Sequence, residues 1–199
     1  IKPGNRIAIP RTLDKVIGKV YQPAKSAVLG YLLSEGNLCH PHGVYFYSTQ
    51  QDEVDDFINN AKNFKNSKFT IDKSKSAMAV YCGQEDQKKG NEILNWIKEE
   101  GLYYHKATEK FIPKSVFAYD SISLSILLGK MWQGDGCISV QNEQVYYATS
   151  SIQLANDVQH LLLRLGILST IHNKRFKYRD GYKNGYTIVI TSRNNLIKF

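Results

Sequence analysis

Val28-Leu29-Gly30-Tyr31-Leu32-Leu33-Ser34-Glu35-Gly36 and Leu128-Gly129-Lys130-Met131-Trp132-Gln133-Gly134-Asp135-Gly136 stand 100 positions apart and end alike, in a small residue, an acid and a glycine. Each closes a stretch whose apolar residues recur at helical spacing. The first begins at Pro23, which suits a first helical turn, and the second at Ser121. Gly30, Ser34, Gly129 and Gly134 are small enough to let two such helices approach closely, so the sequence predicts that these helices pack on one another. Packing them would bring Glu35 and Asp135 together at one end.

An acid at a helix C-terminus opposes the macrodipole at a cost of roughly several tenths of a kcal/mol, so each needs compensation. Two carboxylates forced together also repel, and one would take up a proton unless a cation lies between them. Mg²⁺ (or Mn²⁺) suits such a pair. The expected metal site is therefore Glu35 and Asp135, with Gly134 beside them. The blander reading is that each acid merely precedes a helix-ending glycine. Its occurrence twice at matched positions weakens that reading.

Outward from these blocks the chain repeats itself. After the first helix, 38–48 reads as strand, 52–64 as helix, 69–82 as a hairpin and 90–100 as helix. After the second, 137–148 reads as strand, 152–165 as helix, and 172–191 as a hairpin turning near Asp180-Gly181. Residues 1–20 form a separate lead-in, 21–118 a first repeat and 119–199 a second. An α+β fold with a duplicated αββαββα order is the expectation.

The composition fits this picture. A hydrophobic share of 42% supports a packed core, and no apolar run approaches the ~20 residues of a membrane span. Residues 1–11 lack a signal-peptide pattern, so an intracellular setting (cytoplasmic, nucleoid or nuclear) is expected, with no secretion and no membrane. Cys39, Cys82 and Cys137 have no zinc-site spacing and read as reduced thiols; His40 and His42 read as loop histidines. The net charge of +8 suits a nucleic-acid partner without proving one. Lys174, Arg175, Lys177, Arg179, Lys183 and Arg193 crowd one segment whose only acid is Asp180. That segment is either a phosphate-facing surface or a solvated hairpin. Lys68, Lys73, Lys75, Gln141 and Gln144 lie on or beside other strand segments and join it as candidate DNA contacts. The tyrosine-rich stretches 45–47 and 146–147 read as strand packing rather than single-strand stacking.

The paired blocks resemble the two LAGLIDADG motifs of single-chain homing endonucleases, in particular those inserted in inteins. Lys110-Phe111-Ile112-Pro113 resembles the Lys-x-Ile-Pro block that precedes the second motif. The run from Ala148-Thr149-Ser150-Ser151 to Leu165-Gly166-Ile167 resembles the segment that follows it. Residues 1–11 are similar to the strand where a splicing domain gives way to the endonuclease. The resemblance implies a pseudo-two-fold fold whose antiparallel sheets form a saddle on DNA. It implies that Glu35 and Asp135 bind divalent metal and that Lys110 lies near the scissile phosphate.

The partners implied are duplex DNA with a long asymmetric target site, and the host protein with its splicing domain in a precursor; the state implied is a monomer. Three positions depart from the commoner pattern: Lys130, Gln133 and Glu35. No N-terminal Cys or Ser nucleophile and no terminal His-Asn pair is present, so these residues are not expected to splice by themselves. A lysine equivalent to Lys110 would fall beyond Phe199, so the second repeat is expected to be incomplete at its C-terminal end. The readings open at this point are an active endonuclease, a DNA-binding or maturase-like protein that has lost cleavage, and an inert insertion.

Overall fold

The computed structural model describes residues 18–141, 144–178 and 181–199. The expected strand at 1–11, Arg179 and the turn near Asp180 lie outside them. The order is α1 (Pro23–Glu35), β1 (Gly36–Asn37), β2 (Val44–Ser48), α2 (Gln51–Ala61), β3 (Ser67–Asp72), β4 (Met78–Gln84) and α3 (Glu92–Glu99). A 3-10 turn at Lys114–Ala118 leads to the second set. This is α4 (Ser121–Asp135), β5 (Gly136–Ser139), β6 (Gln144–Thr149), α5 (Ile152–Arg164), β7 (Ser169–Tyr178), β8 (Gly181–Ile190) and α6 (Arg193–Lys198). The α+β architecture with αββαββα given twice is as expected. The strands predicted at 38–48 and 137–148 are each two short antiparallel strands instead, because each chain segment turns back before the tyrosine-bearing strand.

The two sheets share one strand order, β1-β2-β4-β3 and β5-β6-β8-β7, all antiparallel. Alternation sets their faces. Val44, Phe46, Val80 and Cys82 point into the core, while Tyr45, Tyr47 and Tyr81 point outward. In the second sheet Tyr147, Ile188 and Ile190 are the inward set.

α1 is apolar on every side, with every residue from Ser26 to Leu33 buried, as a helix enclosed by neighbours must be. α2, α3 and α5 carry one apolar stripe each and cover the inner sheet faces. Capping by Asn91, Asp120 and Ser151 fixes the starts of α3, α4 and α5, each side chain accepting from a backbone N–H three residues on. Leading into the two central helices, Val20 and Tyr119 form a parallel bridge, and the Ser123 hydroxyl accepts from the Gln22 N–H at 2.8 Å. Among the described residues no helix is long and apolar enough to cross a membrane.

Candidate active site

The closeness of α1 and α4 is set by two residues without bulk. A Cβ at Gly30 would lie 2.6 Å from the Leu127 carbonyl oxygen and 2.7 Å from the Lys130 Cβ. A Cβ at Gly134 would lie 2.6 Å from the Ser34 Cβ and Oγ and 3.0 Å from the Glu35 Cγ. Gly30, Ser34 and Gly134 thus occupy the helix contact. Gly129 does not: it is exposed, with nothing within 4 Å of where its Cβ would be. Counted back from the acids, Gly30 matches Lys130, so Gly129 is one residue out and about 100° around the helix from the contact.

The contact brings the two helix ends together, Glu35 as the last residue of α1 and Asp135 as the last of α4. Burial, and then the Glu35 charge, push the Asp135 carboxyl up to about 6, with Lys110 pulling the other way. Tyr147 packs beneath. Its buried hydroxyl is close enough to Asp135 for each to shift the other's ionisation, yet it has no partner at hydrogen-bond geometry. A cavity of about 470 Å³ opens here, lined by Ser34, Lys110, Asp135, Tyr146, Lys174 and Phe176 among others.

Lys110 is buried, at 5% exposure, and its ammonium donates to the carbonyls of Leu32 and Leu33 at 2.9 Å and of Gly36 at 3.0 Å. It is a side-chain cap on the C-terminus of α1. The compensation that Glu35 requires at that helix end is therefore supplied within the chain. Burial lowers the Lys110 amine to about 8, against the raising effect of the Asp135 and Glu35 charges. Three carbonyls match the three N–H bonds of the ammonium form. The backbone is pinned too: the Ser151 hydroxyl donates to the Lys110 carbonyl at 2.6 Å, and Asp157 accepts from the Ile112 N–H at 3.0 Å. The Lys-Phe-Ile-Pro block therefore joins one helix of each repeat.

The carbonyls at the end of α4 have no such donor among the described residues. Leu38, after α1, is 1% exposed, whereas Ile138 in the equivalent place after α4 is 72% exposed. The two ends of the site are unlike.

Two of the departures from the motif pattern have a role. Lys130 forms an ion pair with Asp56 at 2.9 Å and lies 5.2 Å from the Tyr31 ring centre. The Tyr31 hydroxyl donates to Asp56 at 2.9 Å and to Gln133 at 3.2 Å. This polar clasp spans α1, α2 and α4. Sequence reading missed it, and missed Ser151, Asp157 and Tyr147; a serine ahead of an apolar helix was the one signal for Ser151, as a cap.

Strand alternation sorts the candidate DNA contacts. Lys68 shares the outer face of the first sheet with Tyr81, and Lys174, Lys183 and Gln144 share that of the second with Tyr146. Arg175 and Lys177 fall on the opposite face of the β7–β8 ribbon, where Arg175 lies 4.7 Å from the Tyr182 ring centre. The sequence treated the charge run as one surface, but alternation splits it. Lys73 donates to Gln51 at 2.8 Å, Lys75 and Gln141 lie in exposed turns, and Arg193 opens α6, off the sheets.

Among the described residues no group of three or more His, Cys, Asp or Glu is placed to hold a metal ion. Two carboxylates with adjacent helix-end carbonyls still fit a hard cation that keeps waters and takes phosphate oxygens as its remaining ligands.

Comparison with known proteins agrees with the architecture. The LAGLIDADG-like domain family matches residues 124–199. Over its whole length the chain is 31% identical to part of the replicative DNA helicase DnaB of Rhodothermus marinus, covering 22% of that protein. Over 87% of its length it is 29% identical to part of the RecA protein of Mycobacterium tuberculosis, again 22% of that protein. The chain spans about a fifth of the curated relatives it matches. Among solved structures, I-DmoI in complex with DNA and Mn aligns with a TM-score of 0.60 at 14% identity, covering 88% of this chain and 93% of that one. Full-length DUF199/WhiA from Thermatoga maritima aligns at 0.55 and 12% identity, covering 94% and 57%. This chain therefore has the LAGLIDADG endonuclease fold, and its second repeat is a LAGLIDADG-like domain.

Proposed function

We propose that the protein is a site-specific, divalent-metal-dependent endonuclease of double-stranded DNA, encoded within an intein. The observation that carries the catalytic reading is the pair Glu35 and Asp135, held side by side by the Gly30 and Gly134 contacts at the ends of two packed helices. A carboxyl raised to about 6 by burial and by its neighbour is an arrangement that a cation relieves. Glu35 and Asp135, with carbonyl oxygens at the helix ends, would hold Mg²⁺ or Mn²⁺. Such an ion activates a water and stabilises the leaving oxygen of a phosphodiester. Lys110 keeps α1's end in place and sets a positive charge beside both acids. The I-DmoI structures contain DNA with Mn, which is consistent with this chemistry on this fold.

The insertion reading rests on the range of relatives. A similar segment occurs in DnaB, in RecA, in a DNA gyrase and in a ribonucleoside-diphosphate reductase, proteins with no activity in common. A mobile element inserted into unrelated hosts accounts for that distribution. A monomer acting on a long asymmetric site, inside the cell, follows from the two unlike repeats on one chain.

A second reading, DNA binding without cleavage, is favoured by one observation. The Lys110 ammonium has all three of its protons committed to carbonyls. The two readings separate on one experiment. A plasmid library of candidate insertion sites is incubated with the protein in Mg²⁺ or EDTA, beside Glu35→Ala and Asp135→Asn. Double-strand cutting that needs Mg²⁺ and both acids supports the nuclease; sequence-selective retention without cutting supports the binder.

A further inference from the structure

The outer faces of the two sheets, alike in topology, differ in chemistry. β7 and β8 carry Lys174, Arg175, Lys177 and Lys183 and no acid, whereas β3 and β4 carry Lys68 and Asp72, which cancel. In place of charge the first sheet presents rings. Tyr45 and Tyr47 stack at 6.0 Å with 12° between their planes, Tyr81 lies 5.0 Å from Tyr45, and His40 meets Tyr45 at 5.3 Å and Tyr81 at 5.6 Å edge-on. The platform is held in place. A Cβ at Gly43 would come within 2.6 Å of the Tyr81 ring and one at Gly83 within 2.9 Å, so the ring lies across two positions kept bare for it. Its hydroxyl donates to the His42 carbonyl at 3.1 Å. Beside it, a cavity of about 750 Å³ is lined by Lys68, Thr70 and Gln84 among others.

Resting on the reading of this protein as a duplex-DNA binder, we propose that its two repeats recognise DNA by different means. The second repeat supplies the phosphate contacts through Lys174 and Lys183. The first reads bases through the Tyr45–Tyr81 platform, which selects thymine methyl groups in the major groove. Cations on a ribbon neutralise phosphates whatever the sequence, and their contribution falls with salt. Half-buried tyrosine rings gain little from phosphates, but an apolar ring face discriminates the thymine C5-methyl group from the bare edge of cytosine. Affinity and specificity are thereby divided between half-sites.

The test is selection from a randomised duplex library by the wild type, by Tyr45→Ser/Tyr81→Ser and by Lys174→Gln/Lys183→Gln, followed by salt titration of the winning duplex. Tyr45→Phe/Tyr81→Phe and thermal melts separate lost recognition from lost folding. The serine pair is expected to lose thymine preference in one half-site only, with about a tenfold fall in discrimination there, an unchanged salt slope, and recovery in the phenylalanine pair. The glutamine pair is expected to keep base preference in both halves while its salt slope falls by about two. Thymine preference that survives in the folded serine pair, or a salt slope that drops with the tyrosines, overturns the division of labour alone. A wild type that selects no duplex overturns the DNA-binding reading and this proposal with it.

Discussion

The Asp135 carboxyl titrates near 6 because it is buried and faces Glu35. An acid whose folded value lies above its unfolded 3.8 binds more protons when folded between the two values. Its contribution to stability therefore falls as pH rises through that window, and the full penalty stands above 6. Asp135→Asn is expected to stabilise the metal-free protein at pH 7.5 by about 1–3 kcal/mol, at about 1.4 kcal/mol per pKa unit. Urea melts should show that gain fading toward pH 4, and Mn²⁺ should raise the melting temperature of the wild type but not of the variant. Lys110 has the opposite sign of shift for a base, about 8 against the usual 10.5. The unfolded chain binds the extra proton in that window, so stability from this group rises as pH climbs from about 8 to 10.5. At pH 7.5 three charge-assisted carbonyl bonds of roughly 1.5–3 kcal/mol each outweigh the burial penalty, and Lys110→Met is expected to cost about 2–4 kcal/mol.

Between the elements, the contact of α1 with α4 decides where the acids stand. Gly30→Ala would drive a methyl group into the Leu127 carbonyl, a backbone atom that cannot rotate away. The helices must separate, at about 1–3 kcal/mol for overpacking. Gly129→Ala, on the same helix pair but in open space, is expected to be neutral or to stabilise by up to about 1 kcal/mol through helix propensity. Thermal denaturation of the two variants distinguishes them, and in a cleavage assay only Gly30→Ala should lose activity, since it moves Glu35 away from Asp135. The Tyr31–Asp56–Lys130 clasp works at this scale too, tying α2 of the first repeat to α4 of the second.

Across the whole molecule the two repeats are joined by few polar bonds outside the central helices, and the Lys110–Ile112 segment makes two of them. Asp157→Ala removes the partner of the Ile112 N–H, and Ser151→Ala removes both a helix cap and the bond to the Lys110 carbonyl. Each is expected to destabilise by about 1–2 kcal/mol. Measured in one double variant, the losses should fall short of additive, since both bonds hold one segment. Hydrogen exchange should then rise at residues 110–113 and at the end of α1 together.

The duplication, the helix ends and the nearness of Glu35 to Asp135 were readable in the chain, because helical period, glycine placement and a twice-written small-acid-glycine sequence are local signals. What Lys110 does was not. Its family block could be recognised, but that its amine turns inward to three carbonyls of α1 depends on atoms 74–78 residues away. The same holds for the split of the basic ribbon into two faces, which needs the strand register, and for Gly129, where an error of one residue turns a contact into open surface. Sequence period alone determined which elements form and which acids end them. Only tertiary packing decided which groups each buried charge meets, because a desolvated ion is defined by neighbours that the chain brings from elsewhere.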